Sequence, residues 1–365
     1  MTAVLAEAFP AGEFLADELE ARRWTQAEFA AVLDRPAQFV SEIISGKKEI
    51  TRESASQIGA ALGTSAEMWL SLQDKYFLWR QGQDITTQSE LDDVRRRARL
   101  NAKGPIPLLR KAGVLVGRTL DELEDEILRF FELETLDDEP RLAVAAKRSN
   151  HGEDLTALQT SWLYLVRRAA RAKPPAGSYS RKALEVIGAE LSRLATKPED
   201  FSGLPGLLGG AGVRLVYVPA LPGAKIDGCA MLVDKTRVIG LSGRGKRLDK
   251  VLFALIHEIA HITHGHVTEA SPIVEAIEVD DDPDDHSVEA IHEREANDTA
   301  ATWVFPNRLP PLPDRLSASW AHETAAEAGI APITLIGHLQ HLRRLDWRTT
   351  LAKGAPNVDD VLTGW

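Results

Sequence analysis

Five consecutive residues in the second half of the chain, His257-Glu258-Ile259-Ala260-His261, have the types and spacing for metal chemistry. At about 3.6 residues per turn a helix puts His257 and His261 on one face, one turn apart, so both imidazoles reach one ion. Glu258 lies about 100° round, where it can contact a metal-bound water as general base. Phe253, Ile256, Ile259, Ala260 and Ile262 make the rest of this helix apolar, a low-dielectric setting in which Zn2+ lowers the pKa of its water toward about 7. A third protein ligand is expected from His292-Glu293-Arg294-Glu295-Ala296-Asn297: Glu293 binds the ion, and Asn297, one turn on, steadies a ligand histidine. Glu295 points to another face and is the weaker candidate, while His264, His266, His286 and His292 read as loop or surface histidines. The lone cysteine, Cys229, excludes a thiolate zinc cluster and an internal disulfide, which suits a reducing cytoplasm.

These residues need a scaffold. The apolar periodicity predicts helices over Leu248–His264 and about Val288–Val304, each carrying one arm of the metal set. Before them, VRLVYVP, CAMLV and RVIGL are short β-branched runs separated by turn residues, and read as strands. Strands first and helices after make an α+β domain over residues 203–365. Residues 1–80 read as five short helices, with capping boxes at Thr25/Glu28 and Thr64/Glu67 and a helix from Pro36 stopped at Gly46. Residues 81–202 are charged and helix-rich and read as a helical connector, or as the helical side of the next domain. The fold class expected is therefore multidomain and mostly α.

The net charge of −11 is unevenly placed. Residues 268–296 hold eleven acidic residues and one basic, leaving −1 for all the rest. The bulk charge therefore says little against a nucleic-acid partner for the first 80 residues, whose own net charge is −4. No apolar run approaches the roughly 18 residues of a membrane span, and the N-terminus has no signal-peptide pattern, so a cytoplasmic protein is expected.

The pairing of LIHEIAHITHGH with EREANDTAATWVFP resembles the ImmA/IrrE family of zinc metallopeptidases over about Gly203 to Trp347. The resemblance implies a gluzincin-like site with His257, His261 and Glu293 on zinc, Glu258 as base, and a small sheet around Asp227–Gly240 whose edge aligns a substrate backbone. Two departures are the acidic insertion between the motif helices and the lack of a tyrosine between His261 and Glu293. His341, in GHLQHLRRLDW, is the candidate for stabilising the oxyanion. The first module, from PAGEFLADELEARRWTQ to SLQDKY, resembles HigA-type antitoxins of the XRE helix-turn-helix family. That resemblance places the recognition helix at Pro36–Ser45, with Gln38, Phe39, Ser41 and Glu42 facing the major groove and Gln26, Arg35, Lys47, Lys48 and Arg52 near phosphates.

Together these readings imply a homodimeric transcriptional regulator on double-stranded operator DNA, carrying a zinc endopeptidase that cleaves a protein, a helix-turn-helix repressor, in a stress or mobile-element response. The alternative is an antitoxin-like transcription factor whose metal domain is a non-proteolytic sensor or dimerisation unit. The acidic stretch is either a solvated linker or a pseudo-substrate or metal-loading lid over the cleft.

Overall fold

A computed structural model describes residues 7–142, 155–173, 177–268, 273–276, 288–305, 309–313 and 315–365. Expectations for His286 and for most of the acidic stretch fall outside the described residues. The chain divides into two units, Met1–Arg97 and Ala98–Trp365. Among the described residues, no helix is long and apolar enough to cross a membrane.

The first unit contains α1 (Ala11–Arg22), α2 (Gln26–Val32), α3 (Ala37–Ile44), α4 (Arg52–Leu62) and α5 (Ala66–Gln83). The Thr25/Glu28 capping box opens α2, and Gly46 adopts the left-handed conformation just past α3. The cap of α5 is one residue later than the sequence suggests: Ser65 accepts from the Met68 N–H, and Thr64 instead accepts from Trp69 Nε1 at 2.8 Å. Leu15, Phe29, Val40, Ile58 and Trp69 form the buried centre. The helix α6 (Ile85–Lys103) spans the point of division.

The second unit continues with α7 (Ile106–Lys111), α8 (Leu120–Phe131), α9 (Ala157–Ala172), α10 (Arg181–Leu194) and α11 (Leu204–Gly210). Three strands follow, β1 (Val213–Tyr217), β2 (Ile226–Val233) and β3 (Thr236–Leu241), then α12 (Leu248–His264). After them come β4 (Ile273–Ala276), α13 (Val288–Val304), α14 (Ala318–Ala328), α15 (Pro332–His341) and a short α16 (Asp359–Leu362). The sheet order is β1-β3-β2-β4, with β1 and β3 parallel and the other pairs antiparallel.

Of the two readings of residues 81–202, the helical side of the next domain is the one their later part follows. Their later helices cover the sheet: Trp162 of α9 donates to the Val218 carbonyl at 2.9 Å, and a Cβ on Gly240 of β3 would fall 2.6 Å from Val166. On the other side, α10 meets α13 closely enough that a Cβ on Gly188 would lie 2.5 Å from the Trp303 ring. The period of two along β2 then divides its side chains between two apolar clusters, Cys229, Met231 and Val233 toward α9 and Ala230 toward α12. Burial on both faces is why these strands read as continuous apolar runs rather than alternating ones.

The position of α12 is fixed at its start. Asp249 in its first turn is buried, pairs with Arg247, and sits against Gly337 of α15, where a Cβ would come within 2.2 Å of its carboxylate. Arg247 also donates to buried Gln340 at 2.8 Å.

Candidate metal centre and helix-turn-helix surface

The α12 helix is apolar nearly all round, and His257, Glu258 and His261 are 1%, 0% and 0% exposed within it. The two imidazoles face each other, Nε2 to Nε2, at 2.8 Å. Glu293 arrives from α13 and places Oε2 3.4 Å from His257 Nε2 and Oε1 3.4 Å from His261 Nε2. One donor atom from each of the three residues lies within 4.8 Å of the others. Ligand atoms about 2.0–2.2 Å from a tetrahedral Zn2+ are about 3.3 Å apart, so this donor set has the chemistry and nearly the spacing of such a site.

Electrostatics point the same way. Burial pushes His261 down to about 4, so it is neutral with a lone pair to offer. Burial alone would raise Glu293, but its close contacts with His257 and His261 hold it below the usual carboxylate range. A neutral imidazole at His261 and an ionised carboxylate at Glu293 are the protonation states that divalent-metal binding requires.

Glu258 sits between α12 and the sheet. A Cβ on Gly228 of β2 would fall 2.9 Å from Glu258 Oε1, so the glycine leaves room for the carboxylate. The β2 strand next to it is not an edge: β4 pairs with it, aligning Gly228 with Glu275 and Cys229 with Val274. The side of β2 away from β3 is thus paired, in this structure, with the chain's own residues 273–276 from within the acidic stretch.

The supporting residues differ from those expected. His266 is not a surface histidine: it is 6% exposed, and its Nδ1 lies 3.1 Å from His261 Nδ1. Its Nε2 meets Glu295 at 3.1 Å, and its ring stacks on His292 with centroids 3.9 Å apart. His264 is exposed and bonds Thr299 at 2.8 Å. Asn297 is half-buried one turn beyond Glu293, while the contact described to a ligand histidine's second nitrogen comes from His266. His341 is exposed and packs on Phe253 at 4.5 Å; the Phe253 ring in turn lies over His257 at 6.3 Å.

In the first unit, α2 and α3 are joined by a tight turn in which Asp34 takes a left-handed conformation. On α3, Val40 and Ile43 are buried, and Gln38 and Ser41 are exposed. Phe39 is half-buried rather than projecting freely, with the Arg35 guanidinium 5.5 Å and the Lys48 ammonium 5.0 Å from its ring centre. Glu42 accepts from Gln38 Nε2 at 2.7 Å and lies 3.8 Å from Lys48. Gln26, Lys47, Lys48 and Arg52 are exposed; Arg35 is tied to Glu53 and, at 3.2 Å, to Gln57.

No protein-family model matches the chain. It is 28% identical over 67 residues to an uncharacterized HTH-type transcriptional regulator, YddM, of Escherichia coli (strain K12), covering 18% of this chain and 71% of that protein. Among solved structures, it is similar to a putative antidote protein of a plasmid maintenance system from Nostoc punctiforme, with 33% identity, 25% of this chain, 97% of that chain and a TM-score of 0.22. It is also similar to an addiction module antidote protein of a HigA family from Coxiella burnetii, with 27% identity, 24% of this chain, 95% of that chain and a TM-score of 0.23. The sequence match to an HTH-type regulator and the α2–turn–α3 geometry agree on an N-terminal helix-turn-helix domain.

Proposed function

We propose that this protein is a DNA-binding transcriptional regulator whose second unit is a zinc-dependent endopeptidase, with a helix-turn-helix repressor as its substrate class. One observation carries the enzymatic half: the donor atoms of His257, His261 and Glu293 converge from two helices, with Glu258 buried in the same helix turn. Zinc held there supplies Lewis-acid polarisation of a peptide carbonyl and a water acidic enough to be activated near neutral pH. His257 and His261 hold it through Nε2 and Glu293 through its carboxylate. Glu258 takes a proton from the attacking water on its carboxylate and delivers it to the departing amine nitrogen. The Gly228 backbone leaves room for that carboxylate beside β2.

The regulatory half rests on the helix-turn-helix domain. Exposed Gln38 and Ser41 would read base edges from α3, while Gln26, Lys47, Lys48 and Arg52 approach phosphates. A homodimer would match a palindromic site.

The test combines metal analysis with cleavage. Purified protein is expected to hold one zinc that His257→Ala loses, and Glu258→Gln to keep zinc but fail to cut a repressor encoded beside it. Undiminished cleavage by Glu258→Gln overturns the mechanism.

A second reading, a DNA-binding factor whose metal unit does not cleave, is favoured by β4 occupying the side of β2 where a substrate strand would add. Replacing Ile273–Ala276 with a Gly-Ser segment separates the two: cleavage that rises supports the peptidase with a displaceable strand, and a protein still inert toward every candidate repressor supports the second reading.

A further inference from the structure

The end of α12 does more than stop a helix. Gly265, at φ 81°, sends its N–H to the Ile262 carbonyl at 3.2 Å, and the His266 N–H reaches the His261 carbonyl at 3.0 Å. This paired ending, the Schellman motif, brings together the side chains of the two residues it links, usually an apolar pair. Here the pair is His261 and His266, with Nδ1 atoms 3.1 Å apart.

We propose that His266 and Glu295 are positioning residues, a hydrogen-bonded chain behind His261 that keeps its Nε2 free of hydrogen and aimed at the metal. The inference rests on the metal reading of His257, His261 and Glu293 given above.

Proton counting carries it. A neutral imidazole has one N–H and one acceptor nitrogen, so two Nδ1 atoms in a hydrogen bond share one proton. In one arrangement His261 donates from Nδ1, which leaves its Nε2 lone pair for an ion. His266 then accepts on Nδ1, carries its own proton on Nε2, and donates it to Glu295, 3.1 Å away. In the reverse arrangement the proton of His261 sits on Nε2, the atom that faces His257 and Glu293, and blocks coordination. An ionised carboxylate only accepts, so Glu295 selects the first arrangement. The ring of His266 is held for this by burial and by the parallel face of His292 at 3.9 Å and 10°.

The same count bears on a rival role. His264, His266 and Glu295 also have donor atoms close enough for one ion. An ion on His266 Nε2 would put that ring's proton on Nδ1, hence the proton of His261 on Nε2. With neutral imidazoles, an ion at the outer cluster and one at the inner cluster exclude each other.

The experiment is zinc competition against a chromogenic chelator on the full chain, with the absorption spectrum of the cobalt-substituted protein as a second readout. His266→Gln and Glu295→Gln are expected to retain one ion but to bind it about 10- to 100-fold more weakly, with a shifted cobalt spectrum. The unfolding of their metal-free forms should match wild type, which separates positioning from loss of fold. His264→Ala is expected to bind as wild type does. Affinities and spectra unchanged in both His266→Gln and Glu295→Gln overturn the chain, as does a wild-type stoichiometry of two that falls to one in His264→Ala. Wild type without an ion, or His257→Ala that keeps one, overturns the metal reading itself and this inference with it, an outcome distinct from unchanged variants.

Discussion

The Glu258 carboxylate occupies space that only a glycine at position 228 leaves open: a Cβ there would stand 2.9 Å from Oε1 and 3.2 Å from Cγ. The contact joins the helix that carries Glu258, the proposed base, to the strand beside it. Gly228→Ala is therefore expected to displace the carboxylate while leaving His257, His261 and Glu293 in place. Zinc content should stay at the wild-type level, and peptide cleavage should fall by about 10- to 100-fold, since small misplacements of a catalytic group cost rates of that order. Metal analysis and initial-rate assays on the same preparation check both halves.

Gly265 is the hinge of the proposed positioning chain. Nothing lies within 4 Å of a Cβ placed on it, so Gly265→Ala is strained only by its left-handed backbone, a cost of about 1 kcal/mol. That loss should appear in thermal unfolding of the metal-free protein. If the turn sets the His261–His266 contact, zinc affinity falls as well, and Gly265→Asn, which tolerates this conformation better, recovers part of both.

Lys47 and Lys48 are exposed just beyond α3. If each meets one phosphate, alanine at either should weaken binding to all duplexes alike and reduce the slope of log affinity against log salt by about 1. Fluorescence anisotropy on labelled duplexes across a salt series measures it. An unchanged slope in the double variant would remove these lysines from the interface.

Asp227 supplies a pH dependence. Burial pushes its carboxyl up to about 6, with Arg244 at 3.7 Å and Lys250 opposing the shift. The unfolded value is about 3.9, so the fold favours the neutral acid: stability falls as pH rises from about 4 to about 6 and then levels off. Asp227→Asn should therefore be more stable than wild type at pH 8, by about 1 kcal/mol after allowing for partial solvent access and the two cations, and no more stable below pH 4. Urea unfolding at the two pH values decides it.

Much of this was legible in the sequence for local reasons. The HExxH helix ends where Gly265 stops it, and Thr25 with Glu28 marks the start of α2 by a reciprocal cap. The convergence of Glu293 with the two histidines followed from helical spacing plus the family resemblance. Other features escaped for nonlocal reasons. In α9, Trp162, Leu163, Tyr164 and Val166 are buried nearly all round because one face meets the sheet and another meets α8, and an all-apolar run does not name its partners. Strand β4 lies inside a stretch dominated by charge, and its pairing with β2 is a tertiary choice. His266 looked like a loop histidine because its burial comes from a folded-back turn and from a helix that begins 22 residues later, at Val288.

The split of the donors over α12 and α13 has one more consequence. His261 and Glu293 bracket residues 262–292, which include most of the acidic stretch. An ion shared between them would tie the two ends of that segment together, as a disulfide would in a chain with cysteines to spare. Because closure of a loop this long costs the unfolded chain entropy, a cation bound as proposed would act as a cross-link between the two helices as well as a reagent. On the proposed metal reading, the availability of the metal and the docking of α13 would be coupled in one equilibrium.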